Sequence, residues 1–177
     1  MATAALTRRM SVEEYRRTPF QPDVEYVDGL IEERHLGGFD HARLQAALLR
    51  VLGDREEDWN VYVSPKLRVQ VSATTFRVPD VCLTDAREEI EQVPRRPPLL
   101  CVEVLSPEDR LPRVVERVQD FHRMGVALVW IFDPESRQVW VSSANEVREW
   151  SGGTLTVPGT LIELDPADVF ARMARRR

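Results

Sequence analysis

The sequence predicts a mixed α+β fold, a mixed sheet flanked by helices, on three observations. Strand-like runs follow one another from Asn60 to Leu83 with no helix between them, which argues for antiparallel pairing at the centre. A helix-periodic segment around Val115 stands between two apolar runs, Leu99 to Leu105 and Ala127 to Phe132, which asks for one crossover connection. The 177 residues are 43% hydrophobic, enough for a sizeable core in a single domain.

Each element has its own signal. Ser11 followed by Glu14 is a capping-box pattern and predicts a short helix ended near Pro19. Val24–Val27 and Leu30–Glu33 flank Asp28-Gly29, the strongest short hairpin signal. After Gly37-Gly38, apolar residues at Leu44, Ala47, Leu48, Val51 and Leu52 predict a helix with one buried face, N-capped by Asp40. Asn60–Val63 and Lys66–Val71 read as strands, and Arg77–Leu83 as a third, continuous one. Asp85–Pro98 is charged, ends in a proline-rich run and reads as a loop. Asp109–Met124 reads as a helix with Leu111, Val114, Val115, Val118 and Phe121 inward and Gly125 as its stop. Strands at Ala127–Phe132 and Gln138–Ser142, two weaker strands and a helix at Pro166–Ala171 complete a domain spanning residues 1–172. Met173–Arg177 is a basic tail.

The chemistry concentrates in two of the strands. Arg77–Leu83 and Leu99–Pro107 each carry one carboxylate in an apolar run, Asp80 and Glu103. An ionised carboxylate is costly to bury without a partner. Two explanations stand side by side. Each carboxylate has an ion pair, with Arg77 or Arg68 as the partner of Asp80, or both face one cation. Magnesium is held by one or two carboxylates with waters and a substrate phosphate. If the strands run antiparallel with Asp80 opposite Glu103, then Cys82 lies opposite Cys101 on the same face, because strand side chains alternate. The same register puts Leu105 on the carboxylate face, opposite Val78.

The pieces that carry these residues resemble a known family. Glu25-Tyr26-Val27-Asp28-Gly29, His41 opening a helix, Arg77-Val78-Pro79-Asp80-Val81, Val102-Glu103-Val104-Leu105-Ser106-Pro107, Gly125-Val126 and Val129–Pro134 occur in one order. Together they resemble the bacterial Uma-type family of the PD-(D/E)XK nuclease superfamily, with its restriction-endonuclease-like fold. The resemblance implies a central mixed sheet with helices on both sides, Mg2+ or Mn2+ as cofactor, and hydrolysis of DNA phosphodiester bonds. It implies Asp80 and Glu103 as metal ligands and Glu25 as a third carboxylate at the site. It also implies a homodimer. His41 is a candidate phosphate contact or proton carrier.

One departure matters. The superfamily places lysine two residues after the glutamate, where this chain has Leu105, and the family carries it on the next helix, which here is Arg117. Arginine holds phosphate charge but does not give up its proton, so it cannot act as the base. Lys66, the single lysine, is the second candidate for that place. A catalytically silent nuclease-fold protein that binds nucleic acid or a protein partner is therefore the alternative function.

Composition narrows the rest. A net charge of −5 provides no general attraction to nucleic acid, so DNA binding needs a local basic patch or a bound cation. No apolar run reaches the length of a membrane span. The absence of an export signal in Met1–Met10 and the two cysteines point to the cytoplasm and free thiols. Ser106 reads as a strand end rather than a nucleophile, since no GxSxG context surrounds it. Cys82 and Cys101 read as small buried hydrophobes, and Trp130 as a core residue.

Overall fold

The computed structural model describes residues 9–20, 24–34, 37–107, 109, 111–144 and 146–173. The first helix among the described residues is α1 (Val12–Arg17), where Ser11 and Glu14 form the expected reciprocal cap. It buries Tyr15, whose hydroxyl donates to the Val24 carbonyl at 2.9 Å and whose ring stacks on Tyr26. Strands β1 (Val24–Val27) and β2 (Leu30–Glu33) form the hairpin. Its turn residues Asp28 and Gly29 have φ of 48° and 92°, the left-handed pair that a two-residue type I′ turn requires.

Helix α2 (Phe39–Gly53) is N-capped by Gly38, not by Asp40. Asp40 falls in the first turn instead, where its charge suits the positive helix end. Gly37 cannot carry a Cβ, because that atom would collide with the His41 ring. A four-residue helix, α3 (Glu56–Trp59), follows without a sequence signal. Then come β3 (Val61–Pro65), β4 (Val69–Ser72), β5 (Thr75–Arg77), β6 (Val81–Asp85) and β7 (Leu100–Val104). Helix α4 (Leu111–Met124), β8 (Val129–Phe132), β9 (Val139–Ser142), β10 (Val147–Glu149), β11 (Leu155–Thr156), β12 (Glu163–Leu164) and α5 (Pro166–Met173) complete the order. Met173 thus belongs to a helix rather than to a tail, and residues 174–177 lie outside the described ones, as do residues 1–8 of the N-terminus.

The strands build two larger sheets, not one. The first has the order β2-β1-β5-β4 and the second β10-β9-β8-β7-β6-β3. The continuous strand expected over Arg77–Leu83 is broken at Val78-Pro79-Asp80, and the chain passes there from the first sheet to the second. Proline has no N–H to give a ladder, so Pro79 favours a break. The strand expected from Lys66 starts only at Val69. Lys66 sits in a turn with φ of 47° and is exposed.

In the second sheet, β6 and β7 run antiparallel with Cys82 opposite Cys101, the register expected from the two carboxylates. Helix α4 is the crossover that lets β7 and β8 run parallel. Alternation sorts the two faces. Val81, Leu83, Leu100, Val102, Val104, Trp130 and Phe132 pack toward α2 and α5. Cys82, Cys101, Val129 and Ile131 pack with Val114, Val118 and Phe121 of α4, and Leu105 joins this second face. Val115, expected inward, is 36% exposed, because the stripe through Val114, Val118 and Phe121 leaves it on the rim. The Leu111 side chain lies outside the described ones. Trp130 is fully buried, as expected. Among the described residues no helix is long and apolar enough to cross a membrane.

The two thiols are free and fully buried. Burial pushes the Cys101 thiol well up, with the Cys82 thiol beside it adding to the effect. Both are expected to resist a bulky thiol reagent in the native protein and to titrate as two thiols after denaturation. Reaction of either one in the folded protein, or fewer than two after unfolding under non-reducing conditions, counts against this packing.

Candidate active site

The site lies where the two sheets meet. Glu25 comes from β1 of the first sheet, Asp80 from the break between β5 and β6, and Glu103 from β7 of the second sheet. All three are buried, with exposures of 2%, 1% and 0%. Asp80 is held on all sides. Its Oδ2 accepts from the Val104 N–H at 2.9 Å, so the carboxylate caps the end of the neighbouring strand. Its backbone carbonyl accepts from Gln45 Nε2 at 2.8 Å and from the Lys66 N–H at 3.3 Å. His41, in the first turn of α2, places Nε2 3.5 Å from Asp80 Oδ1.

The cationic partner of Asp80 is neither Arg77 nor Arg68 but Arg34, immediately after β2. Its Nη2 lies 3.1 Å from Asp80 Oδ2 and 3.1 Å from Glu103 Oε2. Its Nη1 is 3.5 Å from Glu25 Oε1 and donates to the Val78 carbonyl. Arg117 of α4 reaches the same Glu103 oxygen at 3.3 Å and Asp109 Oδ1 at 3.4 Å. Arg117 thus turns its head from α4 toward β7. Arg68 instead covers the Tyr15 ring at 4.5 Å, a cation–π contact.

Glu25 is turned to protein donors. Its Oε1 accepts from the Val78 N–H at 3.1 Å and its Oε2 from Arg77 Nη1 at 2.8 Å. Arg77, 1% exposed, also meets Glu32 at 3.0 Å and Asp120 at 2.7 Å. It ties the hairpin and α4 to β5.

Burial disfavours the charged forms of Asp80, Glu103, His41 and Arg34, and their partners decide the outcome. At Asp80 burial is outweighed by the Arg34 charge, then by His41 and the Val104 N–H, and the pKa lies below the ordinary carboxylate value. At Glu103 burial wins over Arg34 and Arg117, with Asp80 and Glu25 pushing the same way as burial, and the pKa is raised. Like charge contributes to that rise, but burial is its largest cause. The two carboxylates of one site are thereby driven apart in proton affinity, a pattern common at catalytic centres. Burial lowers the His41 pKa, yet the Asp80 hydrogen bond and charge, with the Leu105 carbonyl, carry it above its usual value. Burial likewise opposes the charge on Arg34, and Glu103, Asp80 and Glu25 more than restore it.

A small cavity of about 20 Å³ opens at this point, lined among others by Glu25, Arg34, His41, Asp109 and Arg117. Among the described residues no group of three or more His, Cys, Asp or Glu side chains is arranged to hold a metal ion. The pair Asp80 and Glu103 fits a divalent cation nonetheless. Magnesium needs only one or two carboxylates. One oxygen of each already converges on a single positive nitrogen. Glu103 Oε1 is buried with no hydrogen-bond partner, an acceptor left over for a cation.

Of the residues named from sequence, Asp80, Glu103, Glu25, His41 and Arg117 come together here, and exposed Lys66 touches the group only through its backbone. Arg34 and Gln45 had no sequence signal. Arg77 had one, a charge within an apolar run, but its partners lie on other elements.

The two larger sheets with their helices, and an acidic pair where those sheets meet, make up a mixed α+β fold. It matches the crystal structure of "a putative nuclease belonging to DUF820 from Anabaena variabilis ATCC 29413", with a TM-score of 0.79 and 20% identity over 93% of this chain and 99% of that one. At that identity the likeness shows the fold. The chain belongs to the Uma2 family, described as "Putative restriction endonuclease", whose model matches residues 12–167. A weaker likeness, with a TM-score of 0.40 and 17% identity, covers 71% of this chain and 10% of a chain in the "cryoEM structure DrdV-DNA complex". Comparison with curated proteins returned no significant match.

Proposed function

We propose that the protein is an endonuclease that hydrolyses phosphodiester bonds of DNA with Mg2+ or Mn2+ held by Asp80 and Glu103. The observation that carries this reading is the convergence of Asp80 Oδ2, from the break before β6, and Glu103 Oε2, from β7, on one nitrogen at 3.1 Å each and in full burial. Membership of the Uma2 family supports the reaction class.

The cation, when bound, would supply a water of lowered pKa and neutralise charge on the scissile phosphate. The chain's own residues do the rest. The Val104 N–H and Gln45 fix the carboxylate and backbone of Asp80, so its oxygens are held before substrate arrives. Glu25, engaged by Arg77 and the Val78 N–H, positions the Val78–Asp80 break rather than ligating directly. Arg117 stands at the cavity edge with a permanent charge and stabilises the negative charge that develops on the phosphate. It cannot take the water's proton. His41, beside Asp80 and lining the cavity, is the titratable group placed to carry that proton.

The catalytically silent alternative draws on one observation: an arginine already pairs with one oxygen of each carboxylate. Incubation of supercoiled and linear DNA with the protein and Mg2+, Mn2+ or EDTA separates the two. Nicking or linearisation is expected with metal, none with EDTA, and none from Asp80→Asn. DNA left intact under every metal condition refutes the nuclease reading.

A further inference from the structure

We propose that Arg34 is the site's resident counter-cation, a side chain that a divalent metal must displace before the site can work. The inference rests on the reading of Asp80 and Glu103 as metal ligands and concerns what controls access to them.

Three observations carry it. The Arg34 Nη2 sits at 3.1 Å from one oxygen of each carboxylate, so guanidinium and metal would draw on the same two carboxylates, with Glu103 Oε1 the oxygen that Arg34 leaves unpaired. The Arg34 side chain is 13% exposed, whereas those of Asp80 and Glu103 are 2% and 0% exposed. Arg34 lines the small cavity, Asp80 and Glu103 do not, and its head touches both of them, so it stands between the cavity and the two carboxylates. Finally, the cavity holds only about 20 Å³, roughly one water. A hydrated divalent ion and the guanidinium do not fit together. Their charges would also repel at a few ångströms in a buried setting.

Arg34 therefore has two consequences of opposite sign. Without metal it pairs with two buried carboxylates and holds the end of β2 to the Val78 carbonyl. With metal it is a competitor, and its displacement free energy is subtracted from the metal's affinity. Arg117 is not an equivalent competitor, because its ion pairs are with Glu103 and Asp109 and not with Asp80.

The test is calorimetric titration of Mn2+ into the full chain and its Arg34→Gln, Arg34→Lys and Asp80→Asn variants, with thermal melts with and without Mn2+. Arg34→Gln is expected to bind Mn2+ at least about tenfold more tightly than the parent, since the competing charge is gone. Its melting temperature should fall without metal and rise more on adding Mn2+ than that of the parent. Arg34→Lys, which keeps the charge but not the two-pronged head, should fall between the two in affinity. Should Arg34→Gln fail to fold even with Mn2+, Arg34→Lys decides: affinity equal to or weaker than the parent overturns the proposal. Unchanged affinity in Arg34→Gln, with binding abolished by Asp80→Asn, overturns the role of Arg34 and leaves the metal site standing. No Mn2+ binding by the parent or either Arg34 variant overturns both.

Discussion

Glu103→Gln is expected to lower metal-dependent DNA cleavage by more than about a hundredfold, beyond the loss typical of an outer-shell partner of a metal site. The substitution keeps shape and removes charge. Glutamine's carbonyl oxygen can still accept from Arg34 and Arg117, which reach Glu103 Oε2 at 3.1 and 3.3 Å, so the packing of β7 persists. What disappears is the second negative charge at the point where the cation would sit. Single-turnover cleavage beside far-UV circular dichroism distinguishes this from misfolding. A folded Glu103→Gln protein that cuts within a fewfold of the parent rate rules Glu103 out as a ligand.

Arg77→Ala is expected to act on stability, at a cost of about 3–5 kcal/mol, because it leaves buried charges without their partner. Arg77 is nearly inaccessible and meets Glu25 at 2.8 Å and Asp120 at 2.7 Å, both of them buried, as well as the half-buried Glu32 at 3.0 Å. Asp120 keeps Arg123 and Glu25 keeps Arg34 and the Val78 N–H, so the loss stays within that range. In a domain of this size that is a fall in melting temperature of roughly 6–20 °C. Arg77→Lys should recover little, since one ammonium cannot send Nε toward α4 and Nη1 toward the hairpin at once. A melt of Arg77→Ala within about a degree of the parent would mean that these contacts contribute nothing net, as is common for exposed pairs.

Local rules read directly from the chain decided a good part of this molecule. The Ser11 and Glu14 cap, the Asp28-Gly29 turn and the buried face of α2 depend on residues within a few positions of one another, and each stands as expected. Period-two alternation reached further. From two carboxylates in apolar strands it placed Cys82 opposite Cys101 and Leu105 on their face, although the strands are joined by a long charged loop. That worked because one slip of register would exchange the face packed on α2 and α5 with the one packed on α4.

Only the tertiary structure decided the electrostatics. Arg34 and Glu103 are 69 residues apart, and nothing near either one marks the pairing. Burial leaves each carboxylate to be neutralised by whichever cation the packing of other elements delivers. Arg34 comes from the end of a hairpin that β5 of the same sheet holds in place, and Arg117 from a crossover helix. The division into two sheets had a cue in Pro79, which cannot give an N–H to a ladder. Apolar content alone let residues 77–83 pass for one strand. Hydrophobic pattern records which side chains are buried, but a break in a ladder records where backbone partners run out, and those partners lie far along the chain.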